Sequence, residues 1–314
     1  MSEYTVVVLA GGLSHERDIS LRSGRRVAQA LRDQGLEVVE SDVNAGLIEL
    51  LTSLDNPVAF PVLHGGVGED GGLQQTLELL GIPYVGSPAP AARRSFNKAI
   101  AGPLVARAGL TVPRSAVLPH DMFRELGARH LVHALAEKIG FPMMIKPVRS
   151  GSALGASRVD TAADIPQAMV AAFAYGDVNI VEEFIEGTEV TVAVVEFTGE
   201  PPTALPAVQI EPYSGVYDYT ARYTAGETRF IAPAAIPDEV AAACADVAIQ
   251  AHQILGLRDL SRADIIIRGG TPVFIEANSA PGMTETSLVP LAAQAGGCDF
   301  GELCAKLVAT ARAR

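Results

Sequence analysis

The chain has 314 residues, 48% hydrophobic and 19% charged, enough to bury a large core and more than one domain needs. Its 24 basic and 36 acidic residues leave a formal charge of −12, which argues against a general nucleic-acid or anionic-membrane surface and requires local basic sites for anionic ligands. No apolar run approaches the ~20 residues of a membrane span. The start, M-S-E-Y-T-V-V-V-L-A-G-G, enters a strand-like run with no basic region before it, so no signal peptide is expected. Cys244, Cys298 and Cys304 lack CxxC or Cys/His metal spacing, and their odd number fits inert free thiols in a reducing cytoplasm. Only four lysines, Lys98, Lys138, Lys146 and Lys306, stand against twenty arginines, which makes a lysine at a motif position informative.

Residues 4–9 form a β-branched run entering Gly11-Gly12, followed by S-H-E-R-D-I-S-L-R-S-G with helical spacing through Leu21, Val27 and Leu31. This strand, turn and helix begin an α/β domain, without the GxGxxG dinucleotide fingerprint. Glu16 lies in the turn, where it could meet a cationic ligand or cap the helix. Residues 58–63 read as a second buried strand ending in H-G-G-V-G-E-D-G-G-L-Q, a glycine loop at the strand end where open α/β sheets bind ligands. His64 there could orient a substrate carboxylate or simply face water. A Pro-rich crossing near residue 92 marks the first domain boundary.

Residues 97–108 look helical, with Lys98 near the start, and 141–147 read as a buried strand carrying Lys146. The V-R-S-G-S-A-L-G loop that follows offers backbone N–H donors to nucleotide phosphates without a Walker sequence, though such a loop can also be a plain turn. A helix over 164–174 precedes two strands within 180–196. If a nucleotide base rests on the first, Glu182 and the Phe184 and Ile185 backbone read its edge and Glu189 takes the ribose; otherwise these are surface acids on alternating strands. Residues 208–230 carry most of the seven tyrosines in a long polar loop, the pattern of a lid. Helices are expected over 237–255 and 300–311.

Between these helices the run R-A-D-I-I-I-R-G-G-T-P-V-F-I-E-A-N-S-A-P-G-M-T-E-T-S-L reads as a hairpin around Arg268-Gly269-Gly270, a Pro-Gly loop and a helix. Glu276 and Asn278, two apart, leave one face of the second strand. An odd-length connection would bring Arg262 and Asp264 onto that face, gathering two carboxylates, an amide and a guanidinium as Mg²⁺ with substrate phosphates requires.

Taken together, S-H-E-R-D-I-S-L-R-S-G, L-H-G-G-V-G-E-D-G-G-L-Q, K-P-V-R-S-G-S-A-L-G, Y-D-Y-T-A-R-Y, R-A-D and E-A-N-S-A-P-G-M-T-E-T-S-L-V-P resemble the D-alanine–D-alanine ligases of the ATP-grasp superfamily, from residue 4 to about 312. The resemblance implies an α/β (α+β) ATP-grasp fold of three domains: an N-terminal substrate domain (1–92), a central domain (93–185) and a C-terminal domain (186–314) with lid 208–230 and the metal hairpin. The nucleotide would lie between the last two. It implies that Lys98, Lys146 and Arg222 bind ATP phosphates, that Glu182, Phe184, Ile185 and Glu189 line the adenosine pocket, and that Asp264, Glu276 and Asn278 hold two Mg²⁺, with Mn²⁺ as the alternative. Glu16 would take the donor ammonium, His64 would assist at its carboxylate, Arg262 and the Gly282 backbone would hold the oxyanion, and Ser287 and Leu288 would dock the acceptor. Ser152, Tyr223 and Glu16 would lock the lid.

The implied protein is a cytoplasmic homodimer acting on D-alanine and ATP in peptidoglycan precursor synthesis, with neither nucleic acid nor membrane as partner. A paralogue joining other amino acids and a nucleotide-binding regulator without turnover are the rival readings. Three departures stand out. Arg222 occupies the position of the family's usual lid lysine. Ser150 stands where some members have Glu, and Glu285-Thr286 where some have Ser-His, which bears on acceptor preference. The lid tyrosine itself is kept, as in dipeptide rather than ester formers.

Overall fold

The computed structural model describes residues 4–314 apart from Ala225, with the side chains of all of these but Ala128 and Tyr223. The first unit is a parallel sheet of β1 (Thr5–Ala10), β2 (Val38–Asp42) and β3 (Pro57–Pro61) in the order β2-β1-β3. The unbroken apolar run of β1 has two customers: Val6, Val8 and Ala10 pack toward helix α1 (Arg17–Asp33), while Val7 and Leu9 pack toward α2 (Leu47–Ser53) and α3 (Gly72–Leu79). Burial on both faces is what a parallel strand of this composition requires.

The helices α4 (Ala89–Phe96) and α5 (Lys98–Arg107) come next, and then an antiparallel sheet of β4 (Ser115–Pro119), β5 (Met143–Pro147), β6 (Ser157–Val159) and β7 (Val178–Glu183), ordered β4-β7-β5-β6. Helices α6 (His120–Leu126), α7 (Ala128–Lys138) and α8 (Ile165–Phe173) accompany it. On β5, Met143 and Ile145 enter this sheet's own core with Ile165 and Val181, while Met144 and Lys146 alternate to the opposite face and line a cavity.

The third sheet is antiparallel: β8 (Thr188–Val195), β9 (Thr203–Ala204), β10 (Val208–Pro212), β11 (Thr228–Ile231), β12 (Leu260–Arg268) and β13 (Thr271–Asn278), ordered β11-β10-β8-β12-β13 with β9 on β8. The stretch 208–230, expected as a lid without secondary structure, is a hairpin of β10 and β11 joined through the short helix α9 (Tyr219–Tyr223), which Asp218 caps by accepting from Ala221 N at 2.9 Å. One face of the sheet packs on α10 (Asp238–Leu255), and residues 89–110 join that core through Ala91, Ala101, Val105 and Leu110. The segment expected over 93–185 therefore divides in space, its first helix lying on the third sheet. The other face shares a core with the first unit, in which α1, α11 (Leu288–Ala295) and α12 (Phe300–Arg312) bring Leu31, Val289, Leu307 and Val308 together with Val208 and Leu260.

Cys244 and Cys304 are buried free thiols, pushed up to about 11 and about 12 by burial, and so are unreactive. No helix among the described residues is long and apolar enough to cross a membrane. The link between the central and third sheets passes through Gly187, where an added Cβ would collide with the carbonyl of Ile267. Gly187→Ala is expected to cost about 1–3 kcal/mol and to weaken nucleotide binding, visible as a lower melting temperature and a raised KM for ATP.

Candidate active site

Two cavities, of about 420 Å³ and about 350 Å³, adjoin across Lys98, Ser150, Tyr217, Arg222 and Glu276, which line both. The larger lies between the first and third units and the smaller between the central and third sheets, sizes that suit small ligands.

The β12–β13 hairpin makes their common wall. Its turn, Gly269-Gly270, has two residues at φ +57° and +84°, and Arg268 pairs with Thr271. A two-residue turn alone would set Asp264 opposite Ile275. A β-bulge between Asp264 and Ile265 shifts the register, so that Asp264 opposes Glu276 and Arg262 opposes Asn278. The parity expected from an odd connection is supplied instead by the bulge, with Ile275 as the extra residue. Arg262, Glu276 and Asn278 line the larger cavity and Asp264 and Glu276 the smaller.

Charges in this wall are paired. Arg262 Nε and one terminal guanidinium nitrogen each donate to Asp264 at 2.8 Å, and Thr191 Oγ1 donates to Asp264 Oδ1 at 2.8 Å. Lys98 Nζ lies 3.1 Å from Glu276 Oε2 and donates to the Ser150 carbonyl at 2.9 Å. Burial alone would raise the Glu276 carboxyl, but Lys98, Lys146, Arg222 and Arg262 hold it below the usual carboxylate range. Lys146 Nζ sits 2.7 Å from Glu182 Oε2, so Glu182, expected at an adenine edge, neutralises a buried lysine. Glu189 is pushed up to about 7 by burial. Phe184 and Ile185 line the smaller cavity beside it. The Arg222 guanidinium stacks 4.2 Å from the Tyr217 ring centroid and donates through Nε to the Tyr217 carbonyl at 3.3 Å.

Asp264, Glu276 and Asn278 offer carboxylate and amide oxygens, the hard donors Mg²⁺ takes. Asn278 Oδ1 also accepts from Ala280 N at 2.8 Å, which orients its amide. Among the described residues no three acids, histidines or cysteines form a closed metal site. The set fits an ion completed by phosphate oxygens and water.

In the larger cavity, Glu16 occupies the first position before α1 but makes no capping bond. Its buried carboxylate accepts from the Ser152 hydroxyl. A Cβ at Gly65 or Gly151 would come within 2.7 and 2.6 Å of Glu16 Oε2, so glycine backbones enclose that oxygen. His64 is buried rather than solvated. Burial lowers its ring below the usual histidine value, so it is neutral: Nδ1–H donates to the Ala280 carbonyl at 3.0 Å and Nε2 accepts from Ser23 at 3.1 Å. Direct contact with a substrate carboxylate therefore requires one of these bonds to break. Ser287 Oγ accepts from Thr284 N at 2.9 Å, Gly282 leaves room for that hydroxyl, and Leu288 begins α11. The Tyr223 side chain lies outside the described residues.

Three residues had no role in the sequence reading. Ser23 ties His64 to Met283 N, which donates to it at 3.2 Å. Thr191 orients Asp264 from a neighbouring strand. Glu69, inside the quoted glycine motif, is a buried carboxyl in the larger cavity, pushed up to about 8 by burial and by Glu16. Between its ordinary 4.5 and about 8 only the folded chain holds the proton, so rising pH destabilises the fold through that window. Glu69→Gln lacks this term, and its melting temperature relative to wild type is expected to rise by several degrees between pH 5 and pH 9, as differential scanning would measure.

The profile described as D-ala D-ala ligase C-terminus matches residues 104–309, and that of D-ala D-ala ligase N-terminus matches 39–87. A D-alanine–D-alanine ligase of Desulforudis audaxviator is 39% identical over 308 residues, covering 98% of each chain. One from Anaeromyxobacter sp. strain Fw109-5 is 42% identical over 305 residues, 96% of this chain and 95% of that one. Among solved structures, the VanG D-Ala:D-Ser ligase of Enterococcus faecalis superposes with a TM-score of 0.85 at 27% identity, covering 99% of this chain and all of that one. The Bacillus anthracis D-alanine–D-alanine ligase complexed with ATP gives 0.81 at 27% identity, covering 98% and 97%.

Proposed function

The chain belongs to the D-alanine–D-alanine ligase family, and from that premise we propose the parts its residues play in joining two D-alanines with ATP. The protein is an ATP-dependent carboxylate–amine ligase of the ATP-grasp fold, forming D-Ala–D-Ala through an acyl phosphate for peptidoglycan precursors. In this reading it works in the cytoplasm as a homodimer.

ATP occupies the smaller cavity, with its base near Phe184 and Ile185, its ribose at Glu189 and its phosphates facing Lys98, Lys146 and Arg222. The donor's ammonium rests at Glu16 in the larger cavity. A donor carboxylate oxygen bonds to the γ-phosphorus as the bond to the bridging oxygen breaks, ADP leaves, and the acyl phosphate remains. The acceptor amine, its carboxylate docked at Ser287 and Leu288, then bonds to the acyl carbon. Arg262 and the Gly282 N–H hold the oxyanion until inorganic phosphate departs and the nitrogen loses its proton. Mg²⁺ bound by Asp264, Glu276 and Asn278, two ions or Mn²⁺ in their place, would offset phosphate charge. Water would hydrolyse the acyl phosphate, so the Ser152–Glu16 bond and the hairpin carrying Arg222 and Tyr223 close the site.

One observation carries this reading: the two cavities adjoin and share Lys98 and Glu276 in their walls, which supports phosphoryl transfer between a nucleotide in one and an amino acid in the other. The test is mass identification of products after incubation with ATP, Mg²⁺ and equal D-alanine and D-serine. D-Ala–D-Ala as the main dipeptide supports it. Predominant D-Ala–D-Ser, or ATP binding with no phosphate release, overturns the acceptor or the turnover respectively.

A further inference from the structure

We infer that Arg22 helps bind the acceptor, its guanidinium recognising the free α-carboxylate of the second amino acid. The inference rests on the ligase reading above and goes beyond it in naming a side chain on α1 for a group otherwise docked by the segment leading into α11.

Three observations converge on this residue. The first is position. Arg22 and Ile19 line the larger cavity together with Thr286, Ser287 and Leu288. Their neighbours on the helix fasten α1 to the same segment: Ser23 accepts from Met283 N at 3.2 Å, and Arg26 donates to the Met283 and Thr284 carbonyls at 3.1 and 2.5 Å. Arg22 thus projects from a helix face already anchored beside the acceptor end of the cavity.

The second is engagement. Arg262 is held by Asp264, Lys98 by Glu276 and Ser150, and Arg222 by the Tyr217 ring and carbonyl. Among the described residues Arg22 makes no hydrogen bond and no ion pair, although it borders the same space. It contributes nothing visible to holding the fold together.

The third is substrate chemistry. The donor's carboxylate is consumed in the amide, whereas the acceptor's survives as the carboxyl end of the product and stays anionic throughout. Glu16 borders the same cavity and opposes a second carboxylate there. A guanidinium with a free fork offsets that repulsion and suits a carboxylate. Arg22 is exposed, so its action is that of a rim charge, moderate in size and screened by salt.

The test compares wild type, Arg22→Gln and Arg22→Lys at saturating ATP with D-alanine as donor and D-alanine or D-alaninamide as acceptor, each dipeptide product being quantified separately by mass. Arg22→Gln is expected to raise the KM for D-alanine as acceptor about tenfold, with kcat and the KM for ATP changed less than about twofold. Arg22→Lys should recover most of the loss. Rates with D-alaninamide, which lacks the carboxylate, should match between wild type and Arg22→Gln, and added salt should weaken D-alanine use more in wild type. An equal loss on the amide, or an unchanged KM for D-alanine, overturns the inference. Should wild type make no dipeptide from D-alanine but use another amino acid, the substrate reading fails, and the same comparison with that amino acid and its amide still decides Arg22. Turnover with no amino acid at all overturns both.

Discussion

Arg262→Met is expected to lower dipeptide formation by about a hundred- to a thousandfold, the scale of removing one oxyanion donor from a closed site. The guanidinium is buried and gripped by Asp264 through two bonds of 2.8 Å, so its face toward the larger cavity is held without entropy left to lose. The same pairing makes the variant costly to the fold. Asp264 would stay buried with Thr191 as its remaining side-chain partner, a situation that costs about 3–5 kcal/mol. Arg262→Lys separates the two effects: it keeps a positive charge near Asp264 but loses the planar fork. Calorimetry should show Arg262→Lys melting close to wild type while its kcat remains strongly reduced. An Arg262→Met enzyme that folds and turns over within tenfold of wild type would remove Arg262 from the chemistry.

Glu276→Gln should reduce phosphate release by about a hundredfold or more and move the Mg²⁺ concentration for half-maximal rate upward. Glu276 sits where the cavities meet, opposite Asp264 in register and 3.1 Å from Lys98. Its carboxyl stays ionised because Lys98, Lys146, Arg222 and Arg262 outweigh its burial. The amide keeps the shape and loses the charge, leaving Lys98 with neutral oxygen acceptors, the Ser150 carbonyl among them, in place of its ion pair. ATP binding without metal should then tighten or stay unchanged, since a negative group near the phosphates is gone, whereas Mg²⁺–ATP binding should weaken. Isothermal titration with and without Mg²⁺ distinguishes these. Equal metal midpoints in the two proteins would mean that Glu276 does not help hold the ion.

Elements with strong periodicity were legible from residues alone: β1 is buried throughout, α1 buries Val27 and Leu31 with Leu21 half-buried, α10 buries one face, and the hairpin buries its apolar runs except for the half-buried Ile266 and Ile275. What escaped was weakly patterned for a physical reason. Strand β4 lies at a sheet edge with its residues exposed or half-buried, and α6 buries none of its residues. Hairpin β10–β11 hides behind tyrosines and turn residues that read as loop. In the site, residue types pointed to the wall of Arg262, Asp264, Glu276 and Asn278, but its register depends on a bulge that composition does not announce. Pairings across long separations, such as Lys146 with Glu182 or Ser23 with His64, become visible only when the sheets and helices are placed.

The way the cores are partitioned also governs how the molecule fails. The first and third units share one apolar core between them beside a core of each unit's own, while the four-stranded middle sheet shares none with either and continues into the third sheet through the 184–187 strap. Heating the empty protein should therefore give two calorimetric steps, the smaller body letting go first. A nucleotide gripped by both bodies is lost when either lets go, so saturating ATP should merge the steps into one at higher temperature.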